Sequence, residues 1–105
     1  MEPEISEIIP NKLFLGNEDA AMNLEILKKR QITHVLVAGN FMSEYFKNEF
    51  LYKTIKIADS SKESITPHLE DSFKFIEEGP CVFVHCAAGR SRSAAFVVFY
   101  IMKNK

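Results

Sequence analysis

The sequence has few of the residues that interrupt secondary structure or form disulfides: four glycines, four prolines and two cysteines in 105 residues. It has no tryptophan. So little glycine and proline argues against a collagen-like repeat and against a low-complexity linker. With 47% hydrophobic residues, the composition is instead that of a globular protein. A chain of this length can bury one core but is too short to divide into two, so we expect a single domain over residues 1–105.

Neither sign of charge is in excess, because 13 lysines and arginines against 14 aspartates and glutamates give a formal net charge of −1. We therefore expect no nucleic acid partner, and any anion should bind locally. Residues 94–102 form the longest apolar run, far below the roughly 20 residues that span a bilayer, so no membrane insertion is expected. The acidic start, MEPEISEIIP, lacks the features of a secretory signal. Together with two cysteines typical of a reducing compartment, this predicts a cytoplasmic protein, without excluding a nuclear one.

Stretches with strand character alternate with stretches of helical character. Strands are predicted at residues 7–17 as a hairpin, at 32–38 as a strand buried on both faces, at 52–58 and at 81–85. Helices are predicted at residues 17–30, at 66–78 with Thr66 as the N-cap, and from 92 onward, where apolar residues on every face imply burial. Residues 41–50 show no clear pattern. The alternation predicts an α/β fold with a mostly parallel central sheet flanked by helices.

The stretch HCAAGRSRS, residues 85–93, places Cys86 where a strand ends and Arg92 where a helix begins. A short loop that enters a helix directs backbone N–H groups at an anion, and Gly89 tolerates the positive φ that such a turn requires. The Arg92 guanidinium can then bind two phosphate oxygens, and the same field favours the Cys86 thiolate, which is a nucleophile. Ser93 is placed to donate a hydrogen bond to the sulfur. The expected phosphate-binding residues are Ala87, Ala88, Gly89, Arg90, Ser91 and Arg92.

The two cysteines also have structural interpretations. Cys86 could be a buried core thiol, but the offsets of Gly89, Arg92 and Ser93 favour the nucleophile. In an extended strand Cys81 would lie about 16 Å from Cys86, beyond the limit of about 7 Å for a disulfide, so Cys81 is expected to be a core residue. The sequence contains neither a metal-binding Cys/His spacing nor a glycine-rich nucleotide loop, so no metal and no cofactor are expected.

The stretch VHCAAGRSRSA, with Cys-x5-Arg-Ser after a histidine, resembles the signature of cysteine-dependent protein tyrosine phosphatases, and most closely that of the dual-specificity branch. The segments IIPNKLFLGNEDAA, ITHVLVA, YKTIKIADS and SFKFIEEG are similar to successive segments of small dual-specificity phosphatases, so the resemblance covers residues 8–102. It implies the single-domain, three-layer phosphatase fold. Family domains continue through further helices, which makes this chain a minimal or C-terminally truncated version. The uncovered apolar face of the last helix then favours self-association into a homo-oligomer or a partner that covers it.

The resemblance also implies a reaction: hydrolysis of phosphate monoesters on protein tyrosine and serine or threonine through a phosphocysteine intermediate. The substrate would be a phosphorylated protein. Three alternatives stay open, namely a phosphatase for phosphoinositides or other non-protein phosphates, a non-catalytic phospho-dependent binding module, and rhodanese-type sulfur transfer. The implied roles are the nucleophile for Cys86, the phosphate-binding arginine for Arg92, the thiolate-supporting hydroxyl for Ser93, the general acid for Asp59 and loop orientation for His85.

Overall fold

A single five-stranded sheet organises the chain. The structure, a computed structural model, describes residues 3–40, 42–57, 65–86 and 91–104, and at Ser91 it describes the backbone only. The strands lie in the order β1-β2-β5-β3-β4, and β1 is antiparallel to β2 while all other neighbours are parallel. The predicted mostly parallel sheet is therefore confirmed. The strands are β1 (Ile5–Ile9), β2 (Leu13–Gly16), β3 (His34–Ala38), β4 (Leu51–Ile55) and β5 (Val82–Cys86).

Four helices are described: α1 (Glu18–Ala21), α2 (Leu24–Lys29), α3 (Leu69–Glu78) and α4 (Ser91–Lys103). The prediction of one helix over residues 17–30 was wrong, because Asn23 is extended and its side chain accepts a hydrogen bond from Ile26 N at 3.0 Å. Asn23 thereby caps a second helix instead of continuing the first. Asn17 caps α1 as predicted, and its side chain accepts from Ala20 N at 2.9 Å.

The two ends of helix α3 are capped in different ways. A 3₁₀ turn (Thr66–His68) precedes it, and Ile65 takes the capping position without a side-chain hydrogen bond, so the prediction of Thr66 as N-cap was wrong. At the other end, the Lys12 ammonium donates to the carbonyl oxygens of Ile76 at 2.6 Å and Gly79 at 2.5 Å. A cation on the last carbonyls of a helix stabilises its negative end, so the β1–β2 hairpin caps α3 from outside.

Helices cover both faces of the sheet, which gives the predicted three layers. One core lies between the sheet and helices α3 and α4, and it includes Val84, Phe96 and Ile76. The opposite core includes Phe83 and Leu27 and lies on the side of α1 and α2. Because successive residues of a strand point to opposite faces, neighbouring residues of β5 contribute to different cores.

Helix α4 departs from its prediction. Phe96, Val97 and Tyr100 are buried, but Val98 is 51% exposed and Met102 is 67% exposed. The expectation of burial on every face was therefore wrong, since the sheet and α3 cover only part of the helix, whereas the uncovered apolar face expected from the resemblance is present. Over the described ranges, no helix combines the length and the apolar character that crossing a membrane requires.

Candidate active site

Cys86 is the last residue of β5, a strand between β2 and β3 in the sheet. In the register of the sheet, Cys86 lies beside Ala38 of β3, and His85 lies beside Gly16 of β2. The carboxyl ends of the parallel strands thus meet around the cysteine, which is where ligands bind in sheets of this kind. Predictions for Asp59, and for the loop residues Ala87, Ala88, Gly89 and Arg90, lie outside the described residues.

The predicted partnership of Cys86 and Ser93 is present. The sulfur of Cys86 lies 3.2 Å from the hydroxyl oxygen of Ser93, and both residues are buried, with 4% and 0% of their surfaces exposed. Ser93 reaches the sulfur because α4 begins at Ser91, directly after the cysteine loop. A hydroxyl at this distance can donate to a thiolate, and a charge-assisted hydrogen bond of this kind is stronger than a neutral one.

Arg92 occupies the first turn of α4, immediately before Ser93, and its side chain is half-buried. The first N–H groups of an α-helix have no partners within the helix, and the helix dipole adds positive character there. Cys86 therefore faces a helix end that also carries a guanidinium. The combination is suited to a phosphate held next to the sulfur.

His85 contributes to the site by packing. It has no exposed surface, and its ring stacks on Phe83 with the ring centroids 5.6 Å apart. Burial lowers the pKa of His85 to about 4, although the negative charge of Glu18 acts in the opposite direction. The ring is therefore neutral at pH 7, and it adds no positive charge beside Cys86.

Residues 42–50 connect the carboxyl end of β3 to the amino end of β4 and form a wall beside β4, which the sequence did not signal. The Tyr45 hydroxyl donates to Glu18 Oε2 at 2.6 Å, and the Tyr52 hydroxyl accepts from Phe46 N at 2.9 Å. The hydrogen bond to Glu18 is the main reason that the pKa of Tyr45 rises to about 12, and burial adds to it. The wall is thus attached to α1 on one side and to β4 on the other.

An open groove of about 470 Å³ runs between this wall and the end of β4. Inside it, Glu44 accepts a hydrogen bond from the Thr54 hydroxyl at 2.6 Å. Periodicity alone could not reveal the groove, because its residues come from two separate stretches of sequence. It is lined by Met42, Ser43, Glu44, Lys47, Thr54 and Lys56.

Cys81 is a core residue, as expected. It is 5% exposed, its thiol lies 3.5 Å from the Arg30 carbonyl oxygen, and burial raises its pKa. Both cysteines are free thiols. The described residues contain no group of three or more histidine, cysteine, aspartate or glutamate side chains that could hold a metal ion.

Comparison with known proteins gives consistent matches. The family model for the catalytic domain of dual specificity phosphatases matches residues 13–105. The mouse protein "Dual specificity protein phosphatase 19" is 39% identical over 102 residues, which are 93% of this chain and 46% of the mouse protein. "Dual specificity protein phosphatase 1B" of Arabidopsis thaliana is 36% identical over 105 residues, 96% of this chain and 62% of the plant protein. The chain thus spans about half of the length of these curated relatives.

Solved structures share the fold. The crystal structure of the human tyrosine phosphatase-like serine/threonine/tyrosine-interacting protein matches with a TM-score of 0.84 and 37% identity, over 94% of this chain and 72% of that one. Human DUSP28 matches with a TM-score of 0.86 and 26% identity, over 98% of this chain and 72% of that one.

Proposed function

The chain belongs to the dual specificity phosphatase family, and from this premise we propose that it hydrolyses phosphate monoesters on protein tyrosine and on serine or threonine. The observation that carries the proposal is the buried pair of Cys86 and Ser93, whose sulfur and oxygen lie 3.2 Å apart at the N-terminal end of α4. A sulfur held there has an anion-binding helix end in front of it and a hydroxyl to stabilise it as a leaving group.

In the first step the Cys86 thiolate attacks phosphorus in line with the ester oxygen. The S–P bond forms as the P–O ester bond breaks, and the guanidinium of Arg92 with the N–H groups of the loop stabilises the equatorial oxygens. The leaving oxygen takes a proton from the Asp59 carboxyl. General acid catalysis of this kind is typically worth about 10²–10⁴-fold.

In the second step water attacks the phosphocysteine. The S–P bond breaks, the Asp59 carboxylate accepts the proton of the water, and inorganic phosphate is released. The electron pair of the broken bond returns to the Cys86 sulfur, where the Ser93 hydroxyl donates a hydrogen bond to the thiolate that forms. His85, neutral and buried, keeps the end of β5 in place through packing.

Hydrolysis of an aryl phosphate by the wild type, Cys86→Ser and Asp59→Asn tests the proposal. We expect Cys86→Ser to abolish turnover. Asp59→Asn should slow turnover mainly for substrates with poor leaving groups, because good leaving groups need no proton. Equal rates for the three proteins would refute the enzymatic function.

A binding role is the competing function, and one relative motivates it: the human neighbour at 37% identity is named as a phosphatase-like, interacting protein. Phosphotyrosine, phosphothreonine and phosphoinositide substrates should be assayed side by side. Release of phosphate from the peptides supports the proposed activity, and release from the lipid alone supports the non-protein alternative. Tight binding of phosphopeptide without release of phosphate supports the binding module.

We also propose that the exposed face of α4 joins two copies of the chain. Val98, Ile101 and Met102 are 51%, 36% and 67% exposed and follow one another at helical spacing, which makes a contiguous apolar stripe. Sedimentation of the wild type should show a concentration-dependent oligomer, and the double variant Val98→Lys/Met102→Lys should be monomeric. A wild type that is a monodisperse monomer would contradict the proposal.

A further inference from the structure

The groove between residues 42–47 and β4 extends to the carboxyl end of β4, the same edge of the sheet at which Cys86 lies. Ile55 of β4 pairs with Ala38 of β3, which pairs with Cys86. Two strand spacings of about 4.8 Å therefore separate Ile55 from Cys86 by about 10 Å. Lys56, which lines the groove, is the next residue after Ile55.

The groove is locally positive in a chain whose formal net charge is −1. Lys47 and Lys56 both line it, and neither has an ion-pair partner in the described ranges. Glu44 is the one acidic residue of the lining, and its carboxylate accepts a hydrogen bond from the Thr54 hydroxyl and keeps its charge, so two lysines and one glutamate leave the lining with a formal charge of +1. Two lysine ammonium groups are thus available to anionic side chains.

The groove is also formed before anything binds to it. Tyr45 attaches its wall to Glu18 of α1, and Tyr52 attaches the wall to β4 through Phe46 N. A ligand does not have to order these residues, so little of its binding free energy is lost on conformational entropy.

From this placement and charge we propose that the groove binds an acidic segment of the phosphorylated protein substrate, and that Lys47 and Lys56 are specificity residues. The inference rests on the proposed phosphatase function. An extended peptide covers about 3.3–3.6 Å per residue, so the end of the groove beside Ile55 lies about three residues from the phosphoresidue that reaches Cys86. Aspartate or glutamate at that distance would meet the two lysines.

The experiment compares phosphotyrosine peptides that carry aspartate or asparagine three residues before or after the phosphoresidue. An exposed ion pair is worth about 1.4- to 5-fold in affinity, so two lysines predict a preference of about fivefold in kcat/KM for the acidic peptide at low salt. The double variant Lys47→Gln/Lys56→Gln should lose this preference, while its hydrolysis of p-nitrophenyl phosphate stays at the wild-type rate. Charge reversal with Lys47→Glu/Lys56→Glu should make the enzyme favour peptides with lysine at the same positions.

A matched control, Lys29→Gln/Lys74→Gln, removes the same charge from exposed positions on α2 and α3 and should keep the preference. A wild type without preference, or a groove variant that retains it, overturns the inference. If no substrate is hydrolysed at all, the proposed function fails instead. In that case, NMR titration with an unphosphorylated acidic peptide tests whether the groove binds the peptide. Chemical-shift changes confined to the groove residues support the inference, and their absence refutes it.

An anionic membrane surface is the other ligand that the two lysines of the groove could bind. Vesicles of phosphatidylcholine with and without phosphatidylserine test it directly. Binding to the anionic vesicles that requires Lys47 and Lys56, together with equal rates on acidic and neutral peptides, would replace the peptide with a lipid surface and overturn the proposal.

Discussion

Replacing Ser93 with alanine should slow the breakdown of the phosphocysteine far more than its formation. The Ser93 hydroxyl lies 3.2 Å from the Cys86 sulfur in a fully buried position. In the first step the thiolate loses its charge, so the hydrogen bond weakens as the reaction proceeds. In the second step the charge returns to the sulfur, and the hydrogen bond strengthens in the transition state. Only the second step therefore depends on the hydroxyl for acceleration.

The size of the effect follows from the charge on the acceptor. A hydrogen bond to a charged group contributes about 1.5–3 kcal/mol, which corresponds to about 10- to 150-fold in the rate of the second step. The fold should tolerate the change, because removing one oxygen leaves only a small space beside the sulfur.

Rapid mixing with p-nitrophenyl phosphate measures both steps. We expect a burst of nitrophenol of about one equivalent, followed by slow turnover, with kcat reduced and kcat/KM nearly unchanged. Ser72→Ala is a matched control, because Ser72 is also fully buried but donates its hydroxyl to the Leu69 carbonyl in α3 at 2.7 Å. The control should show no burst and wild-type kcat.

Two results would refute this reasoning. If Ser93→Ala lowers kcat and kcat/KM equally and shows no burst, the hydroxyl acts on formation of the intermediate and not on its breakdown. If Ser93→Ala behaves like Ser72→Ala, the short distance between sulfur and oxygen has no part in the chemistry.

Three further predictions concern stability. The pKa of His85 is lowered from 6.5 to about 4 in the folded state, so the unfolded chain takes up a proton first as the pH falls. The free energy of unfolding should therefore drop by about 2 kcal/mol from pH 7 to pH 5. In His85→Gln, the midpoint of urea denaturation should depend less on pH across that range. Lys12→Met removes the cation from the last carbonyls of α3 and should cost about 1–2 kcal/mol in urea denaturation, with no loss contradicting the capping role. Gly16→Ala would place its Cβ 2.3 Å from the Glu4 carbonyl oxygen, and we expect a loss of about 2–3 kcal/mol by thermal melting, whereas an unchanged melting temperature would show that β1 moves freely.

Local signals predicted much of the fold because they act within a few residues. The alternation of strands and helices, the cap at Asn17 and the end of α3 at Gly79 are all present. The failures are equally local in origin. Asn23 competes with the helical periodicity around it, and the hydrogen bond from Ile26 N ends one helix and starts another. Thr66 has the chemistry of a cap, but the 3₁₀ turn places Ile65 in the capping position.

The proximity of Cys86 and Ser93 was also readable from the sequence. Cys86 and Ser93 are seven residues apart, at the end of β5 and in the first turn of α4, so their proximity follows from the order of these two elements. Burial is different, because it depends on what the other elements cover. The apolar residues of α4 look alike in the sequence, yet Phe96 has no exposed surface while Met102 is 67% exposed.

By itself, then, the sequence determined the order of strands and helices and the pairing of Cys86 with Ser93, since both depend on neighbours along the chain. Only the tertiary structure decided the strand order β1-β2-β5-β3-β4, the attachment of residues 42–50 to α1, and the meeting of Lys47 with Lys56 in one groove. These features depend on hydrogen-bond register and side-chain contact between segments far apart in sequence, and no local pattern carries that information.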